Sequence, residues 1–197
     1  MSKIDKVVQA IRSDLSDIAT DHDKEDTDLY RFVGVETSRS YNFILDAFYL
    51  LEDTQLAKAS FRGSDLRTPD FGTLYLLYYG LLNACYMQQQ ATLVLCRELG
   101  ITDGLEPIKT AGIVNFRNSF SAHSPNRGRG EEQHSFILSR HAMRVGRVEG
   151  YSANHASGHL SLGADISQLL DDWDASLEGV FMLIGERVYG SELHQKI

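Results

Sequence analysis

Proline and cysteine are scarce in this sequence, with three and two residues respectively in 197, and no tract rich in serine, glycine and proline is long enough to be a linker. No stretch approaches the roughly 20 consecutive apolar residues that a membrane-spanning helix requires. The first residues, Met1 to Lys6, lack the apolar run of a secretory signal peptide. These absences predict a single cytoplasmic domain over residues 1–197 with no membrane partner.

The two cysteines, Cys85 and Cys96, lie eleven residues apart in a predicted helix. That spacing amounts to about three helical turns, which is too far for a disulfide bond. We therefore predict that both are small buried hydrophobic residues rather than a disulfide or metal pair. The sequence also lacks a glycine-rich phosphate loop and a CxxC redox motif, so we expect no cofactor.

Charge is distributed unevenly along the chain. The net charge is −8, yet the segment from Arg117 to Arg147 contains six arginines and two glutamates, a net charge of +4. A basic segment on an acidic body predicts a local anion site, whereas the remaining surface repels polyanions. No DNA partner is expected. The alternative interpretation of the same segment is a solvated, arginine-rich loop and hairpin.

Apolar residues recur at helical spacing in five segments. The predicted helices cover about residues 2–20, 38–60, 70–99, 106–123 and 165–189. Gly100 and Gly190 follow the third and the last of these helices as end signals. Residues 21–36 predict a loop that contains at most a short helical turn.

The periodicity changes before the last helix. Asn126 to Gly130 predict a flexible loop, and Ser135–Arg140 and Arg144–Tyr151 are short, β-rich runs that could pair as a hairpin. Residues 152–163 are rich in glycine, serine and histidine and show no clear period. The predicted fold is mainly α: a four- to five-helix antiparallel bundle with a small β-hairpin insertion, about residues 130–163, before the last helix.

The most informative segment for function runs from Asn115 to His123. Phe116 and Phe120 lie one turn apart and are predicted to face the core, so that Arg117 and its polar neighbours point elsewhere. Positions six apart do not superpose on a helix, but a long arginine and a helix-terminal histidine could still converge on one anion, particularly across a dimer seam. The alternative is an exposed Arg117 with His123 at a helix C-terminus, where a cation is favoured anyway.

This arrangement of Arg117, a polar Asn118 and, after five intervening residues, His123 resembles the motif of the HEPN superfamily. Members of that superfamily are four- to five-helix bundles that carry an arginine, four to six residues and then a histidine. The motif here falls at the end of the helix beyond the long central one, as the resemblance requires. In HEPN toxins a tyrosine often stands two residues after the motif histidine, whereas this chain has Pro125.

The resemblance implies a metal-independent endoribonuclease. His123 would act as general acid or base, Arg117 would hold the scissile phosphate, and Asn118 would orient the histidine or the substrate. Arg127 and Arg129 would be contacts to backbone phosphates. The resemblance also implies a homodimer with both motifs at one cleft, RNA as substrate, and a bacterial toxin or phage-defence system with a possible antitoxin or regulatory protein.

Other interpretations stay open. Many superfamily members are non-catalytic modules that bind nucleotides, RNA or protein. Ser119 and His123 could form a nucleophile–base pair, but no orienting acid is apparent. Four tyrosines of one predicted helix are candidates for stacking on bases: Tyr75, Tyr78, Tyr79 and Tyr86. Their helical spacing instead predicts that most of them are core or dimer-seam residues. One of the glutamines at 88–90 is expected to be buried and hydrogen-bonded, or to face the cleft.

Two pairs of residues have metal-ligand spacing. His155 and His159 lie in a predicted loop and have no identified third ligand. Glu131 and His134 have the ExxH spacing of carboxylate-bridged metal bundles, but those bundles use two copies on helices and this chain has one copy off-helix. We therefore predict no metal site.

Overall fold

The computed structural model describes residues 2–122, 136–155 and 158–197. Most of these residues are helical, and a small antiparallel sheet precedes the last long helix. The helices are α1 (Lys3–Thr20), α2 (Asp26–Val33), α3 (Ser38–Arg62), α4 (Phe71–Glu98), α5 (Glu106–Lys109), α6 (Gly112–Arg117), α7 (Arg140–Arg144), α8 (Ile166–Tyr189) and α9 (Leu193–Lys196). The strands are β1 (Ile137–Leu138), β2 (Arg147–His155) and β3 (Gly158–Asp165). The predicted mainly α fold with a small β insertion is confirmed.

The chain divides into two compact units. The first unit comprises Met1–Asp53, Gln88–Lys109 and Ala175–Ile197, and the second unit comprises Thr54–Met87 and Thr110–Asp174. Arg117 and the β insertion belong to the second unit. The single domain expected over residues 1–197 stays a prediction.

Capping and apolar spacing explain α1 in the first unit. The hydroxyl of Ser2 accepts a hydrogen bond from the backbone N–H of Asp5 at 3.1 Å, and the Asp5 carboxylate accepts one from the N–H of Ser2 at 3.0 Å. This reciprocal pair is a capping box. The helix buries one apolar face, formed by Ile4, Val7, Val8, Ile11 and Leu15. Residues 26–33, expected in a loop with a short helical turn, form the eight-residue α2.

The core of the second unit is built around α4. Tyr78 is fully buried, its ring packs edge to face on Phe61 with centroids 5.3 Å apart, and its hydroxyl donates to the carbonyl of Met143 at 2.8 Å. Burial raises the pKa of Tyr78, so its hydroxyl stays a donor. Cys85 is a free, buried thiol, as Cys96 is in the first unit, and the prediction of two small buried hydrophobic residues is confirmed. Burial raises the pKa of Cys85 to about 12.

The β insertion is a three-stranded antiparallel sheet in the order β1-β2-β3. Ile137 pairs with Tyr151 and Leu138 with Gly150, so the predicted pairing of the two β-rich runs is confirmed. The sequence does not predict β3, because its glycine and serine residues are typical of loops. Backbone pairing with β2, rather than intrinsic strand preference, therefore accounts for this strand.

The prediction of one helix over residues 106–123 is wrong. α5 ends at Lys109 and α6 begins at Gly112, because Ala111 has ψ 130°, outside the helical range. In a continuous helix the carbonyl of Ile108 would accept the N–H of Gly112. That carbonyl instead accepts a hydrogen bond from the amide of Gln89 at 2.7 Å. Gln89 is buried, as is Gln88, so the expectation of a buried, hydrogen-bonded glutamine among residues 88–90 is confirmed. After Arg117 the helix widens into a π turn, 118–122.

Gly150 marks a close approach within the second unit. A Cβ at this position would lie 2.3 Å from Cε1 of Phe120 and 2.5 Å from the carbonyl oxygen of Ile137. Phe120 is fully buried, so its ring has little room to move away. Strand β2 thus packs on the π turn only because position 150 has no side chain.

Gly150→Ala is expected to lower the free energy of unfolding by about 1–3 kcal/mol, because overpacking a filled core displaces its neighbours. Urea denaturation followed by circular dichroism measures this change. Gly179→Ala in α8 is the control: an added Cβ there meets nothing within 4 Å, and the helix should gain about 0.5–1 kcal/mol. Equal stability of Gly150→Ala and the unmodified chain would contradict the close packing.

Candidate active site

Two residues of α4 hold the side chain of Arg117, the last residue of α6. Its Nε donates a hydrogen bond to Oδ1 of Asn83 at 3.1 Å. Its guanidinium carbon lies 3.9 Å from the centroid of the Tyr86 ring, where a cation–π attraction adds to the packing. Asn83 and Tyr86 are three residues apart and share one face of α4. The predicted catalytic arginine is therefore held in one orientation.

The amide of Asn83 is itself oriented by the helix that carries it. Its Nδ2 donates to the carbonyl of Tyr79, one turn earlier in α4, at 2.9 Å. Because this bond uses the N–H end of the amide, the oxygen end is available to accept from Arg117. The bond to the Tyr79 carbonyl thus sets the orientation of the Asn83 amide, and the amide oxygen in turn orients the guanidinium.

Asn118 contacts the same guanidinium. Its Oδ1 accepts a hydrogen bond from Nη1 of Arg117 at 3.2 Å. The resemblance gives Asn118 the role of orienting His123 or the substrate, a role that stays a prediction. In the structure its side chain helps to orient Arg117.

The π turn that follows Arg117 is anchored by aromatic packing. Phe120 is buried, and its ring centroid lies 5.9 Å from that of Phe116 and 5.4 Å from that of Phe136. The hydroxyl of Ser119 donates to the carbonyl of Asn115 at 2.9 Å. Phe120 faces the core as predicted, whereas Phe116 is half-buried. π turns within helices are rare and occur frequently at functional sites, so this turn marks the segment independently of the motif.

Several predicted site residues lie outside the part of the chain that the structure describes. They are His123, Arg127 and Arg129, together with Glu131 and His134, one of the two pairs with metal-ligand spacing. The side chains of the other pair, His155 and His159, lie outside it as well. The approach of His123 to Arg117 and its pairing with Ser119 therefore stay predictions. Within residues 2–122, 136–155 and 158–197, no group of three or more His, Cys, Asp or Glu side chains could hold a metal ion.

The sequence does not single out Asn83 as a partner of Arg117. The available signal is the position of this amide on a helix face that otherwise carries tyrosines, one turn after Tyr79 and one turn before Tyr86. The four tyrosines of α4 have three different environments. Tyr78 lies in the core, and Tyr86 stacks on Arg117. Tyr75 and Tyr79 stack on each other with centroids 5.6 Å apart.

No family model, curated protein or solved structure matches this chain. The HEPN resemblance stays a prediction. No helix among the described residues is both long and apolar enough to cross a membrane.

A double-mutant cycle tests the contact between Arg117 and Tyr86. Arg117→Ala and Tyr86→Leu are expected to be non-additive in the free energy of unfolding by about 0.5–2 kcal/mol, because each removes the same cation–π contact. Urea denaturation of the two single variants and the double variant gives this coupling. Tyr75→Leu is the control, since Tyr75 stacks on Tyr79 instead, and its effect should add to that of Arg117→Ala. Full additivity for Tyr86→Leu would show that the stack contributes nothing.

Proposed function

We propose that this chain is a metal-independent endoribonuclease of HEPN type that acts in the cytoplasm. The observation that supports this most directly is the oriented side chain of Arg117, held by Asn83, Asn118 and Tyr86. Arg117 is only partly buried, and among the described residues its hydrogen-bond acceptors are Asn83 and Asn118. A guanidinium has five N–H donors, so donors are left for two oxygens of a phosphate.

The proposed reaction uses the RNA's own 2′-hydroxyl as nucleophile. Its oxygen forms a bond to the adjacent phosphorus, and the bond from phosphorus to the 5′-oxygen of the next nucleotide breaks. The products are a 2′,3′-cyclic phosphate and a 5′-hydroxyl. His123 takes the proton of the 2′-hydroxyl as general base or gives one to the departing 5′-oxygen as general acid, and solvent water carries out the other proton transfer. Arg117 binds the non-bridging oxygens and stabilises the negative charge that develops on them. DNA has no 2′-hydroxyl and is not a substrate.

The distribution of charge along the sequence fits a polyanionic substrate bound at one place. The segment from Arg117 to Arg147 is basic in a chain of net charge −8, so RNA is attracted to this segment and repelled elsewhere. Arg127 and Arg129 are the proposed phosphate contacts beside the motif. Such an enzyme would serve as a toxin or in phage defence, with an antitoxin or regulatory protein to restrain it.

A homodimer is part of the proposal, because one face of α4 suits a protein interface. The helix has no charged residue from Phe71 to Cys96. In the second unit, Leu76 is 76% exposed and Met87 is 41% exposed. Gly80 lies between them on the same face and leaves room for a second backbone to approach. Exposed apolar side chains on an uncharged surface are typical of interfaces.

The position of this face relative to Asn83 and Tyr86 supports the same assembly. The two residues that hold Arg117 lie on the strip of α4 next to Leu76 and Met87. Pairing of two copies through α4 would therefore bring two Arg117 side chains to the edges of one interface. This is the arrangement in which both motifs serve a common cleft.

The central test is cleavage of RNA by the purified protein in the presence of EDTA. Arg117→Ala and His123→Ala should each lower the cleavage rate by about 100-fold or more, as loss of a general acid–base or of an electrostatic stabiliser does. Mass spectrometry of the products should show a 2′,3′-cyclic phosphate. Arg97→Ala is the matched control, because Arg97 is exposed and pairs with Glu98 in the first unit, and it should cleave like the unmodified chain.

Two results would refute this function. One is cleavage that requires a metal ion, and the other is cleavage that neither substitution affects. Binding of RNA without any product, weakened by neutralising Arg127 and Arg129, would instead assign the alternative function of a non-catalytic binding module.

The proposed interface predicts a dimer that a single charge disrupts. Sedimentation should give twice the chain mass of 22.1 kDa for the unmodified protein. Leu76→Glu should give the monomer, because a carboxylate would be desolvated against the partner. Leu56→Glu is the control: Leu56 is 69% exposed on α3, and this variant should stay dimeric. A monomer at all concentrations, or a dimer that Leu76→Glu leaves intact, would rule out this interface.

A further inference from the structure

A second candidate site lies in the second unit, outside the Arg117 motif. It is a cleft of about 610 Å³, which falls within the size range of pockets for small organic ligands. Its walls include Tyr75 of α4, Arg140 of α7 and four residues of the sheet, Ile137, Glu149, Tyr151 and Ser161. The motif gives these residues no role.

The sheet supplies a flat row of side chains to this cleft. The antiparallel register places Tyr151 opposite Ile137 on one side and opposite Ser161 on the other. Residues that are directly opposite in a sheet lie side by side on one face. Ile137 is 56% exposed and Tyr151 is 43% exposed, whereas the adjacent Leu138 is buried. The row therefore presents a partly exposed surface with two apolar side chains, Ile137 and Tyr151, on which a planar ring can pack.

Tyr75 forms another wall and is held by three contacts. Its ring stacks on Tyr79 at an interplanar angle of 29°. Its hydroxyl donates to the carbonyl of Leu138 at 3.5 Å and accepts from Nε of Arg140 at 3.4 Å. Arg140 thus brings a positive charge to an aromatic wall whose orientation is already set. Oε2 of Glu149 accepts a hydrogen bond from Nε of Arg147 at 3.4 Å, and the second oxygen of this carboxylate can accept N–H groups.

These features together fit one class of ligand, a planar ring that carries N–H groups and is joined to an anion. We propose that the cleft binds a base of single-stranded RNA, with the ring on Tyr151 and Tyr75, its N–H groups toward Glu149 and the attached phosphate toward Arg140. The identification of the strand as RNA rests on the proposed function. A free nucleotide has the same chemistry, and the experiment below separates the two.

Helix α4 connects this base site to Arg117. Tyr75 and Tyr86 are eleven residues apart, a rise of about 16 Å along the helix, and Tyr79 and Asn83 lie between them on the same strip. A strand along this strip would place its scissile phosphate at Arg117 and a base a few nucleotides away in the cleft. Bases in a duplex are paired and stacked inside the helix, so a site of this kind selects unpaired RNA.

Binding of an RNA that cannot be cleaved tests the proposal. The probe is a fluorescein-labelled, single-stranded pool of randomised eight-nucleotide RNA with 2′-O-methyl riboses, followed by fluorescence polarisation at one fixed salt concentration. Tyr151→Ala should raise Kd about 5- to 100-fold, as loss of one base–aromatic stack does. Tyr151→Phe keeps the ring and should bind within about twofold of the unmodified chain. Tyr49→Ala, which removes an exposed tyrosine of the first unit, should also leave Kd unchanged.

Two further measurements distinguish RNA from a free nucleotide as the ligand, and failure of the base site from failure of the nuclease. Competition by mixed nucleoside 5′-monophosphates should be much weaker than competition by unlabelled oligomer, whereas tighter binding of the monophosphates would overturn the RNA version. An unchanged Kd for Tyr151→Ala, in protein that still cleaves RNA, would overturn the base site and leave the nuclease standing. Binding that depends on Tyr151, in protein that never cleaves, would support the base site and refute the nuclease.

Discussion

The stack of the Arg117 guanidinium on Tyr86, with Nε held by Asn83, is the contact on which the proposed chemistry depends. A free arginine carries about 2 kcal/mol of rotamer entropy, part of which is lost when it binds a phosphate. Here the fold already restricts the Arg117 side chain in the free protein, so that less side-chain entropy is lost when the proposed substrate binds. The guanidinium also keeps its direction when no RNA is bound, which is what stabilisation of a developing charge requires.

The rest of the second unit can be understood as support for that contact. Asn83 accepts from Arg117 only because its own N–H end is bonded to the helix backbone at Tyr79. The π turn departs from regular α-helical hydrogen bonding, which lowers its stability. Burial of Phe120 against Phe136 offsets this loss of stability. Gly150 lets the sheet approach that ring closely. The sheet face that carries Tyr151 is thereby tied to the segment that carries Arg117.

The parts of the fold that the sequence predicts are those set by local patterns. α1, α3, α4 and α8 follow from long apolar stripes, and Gly100 and Gly190 take the positive φ expected of helix ends. The break at Ala111 and strand β3 could not be predicted, because each depends on a distant partner: the amide of Gln89 and the backbone of β2. The same distinction holds at the candidate site, where spacing singles out Arg117 as a candidate but Asn83 lies 34 residues earlier in the chain. No local pattern connects the two.

The side-chain N–H signals of Arg117 in proton–nitrogen correlation NMR test the central claim most directly. They are assigned by their loss in Arg117→Lys and followed with and without the 2′-O-methyl RNA. If Arg117 is oriented and binds phosphate, its Nε–H signal should be resolved from those of exposed arginines in the free protein. The Tyr86 ring and the hydrogen bond to the Asn83 oxygen should both change the chemical shift of this signal. On saturation with RNA the Nη signals should shift. An Nε–H signal averaged with those of exposed arginines, or Nη signals unmoved by saturating RNA, would contradict the account.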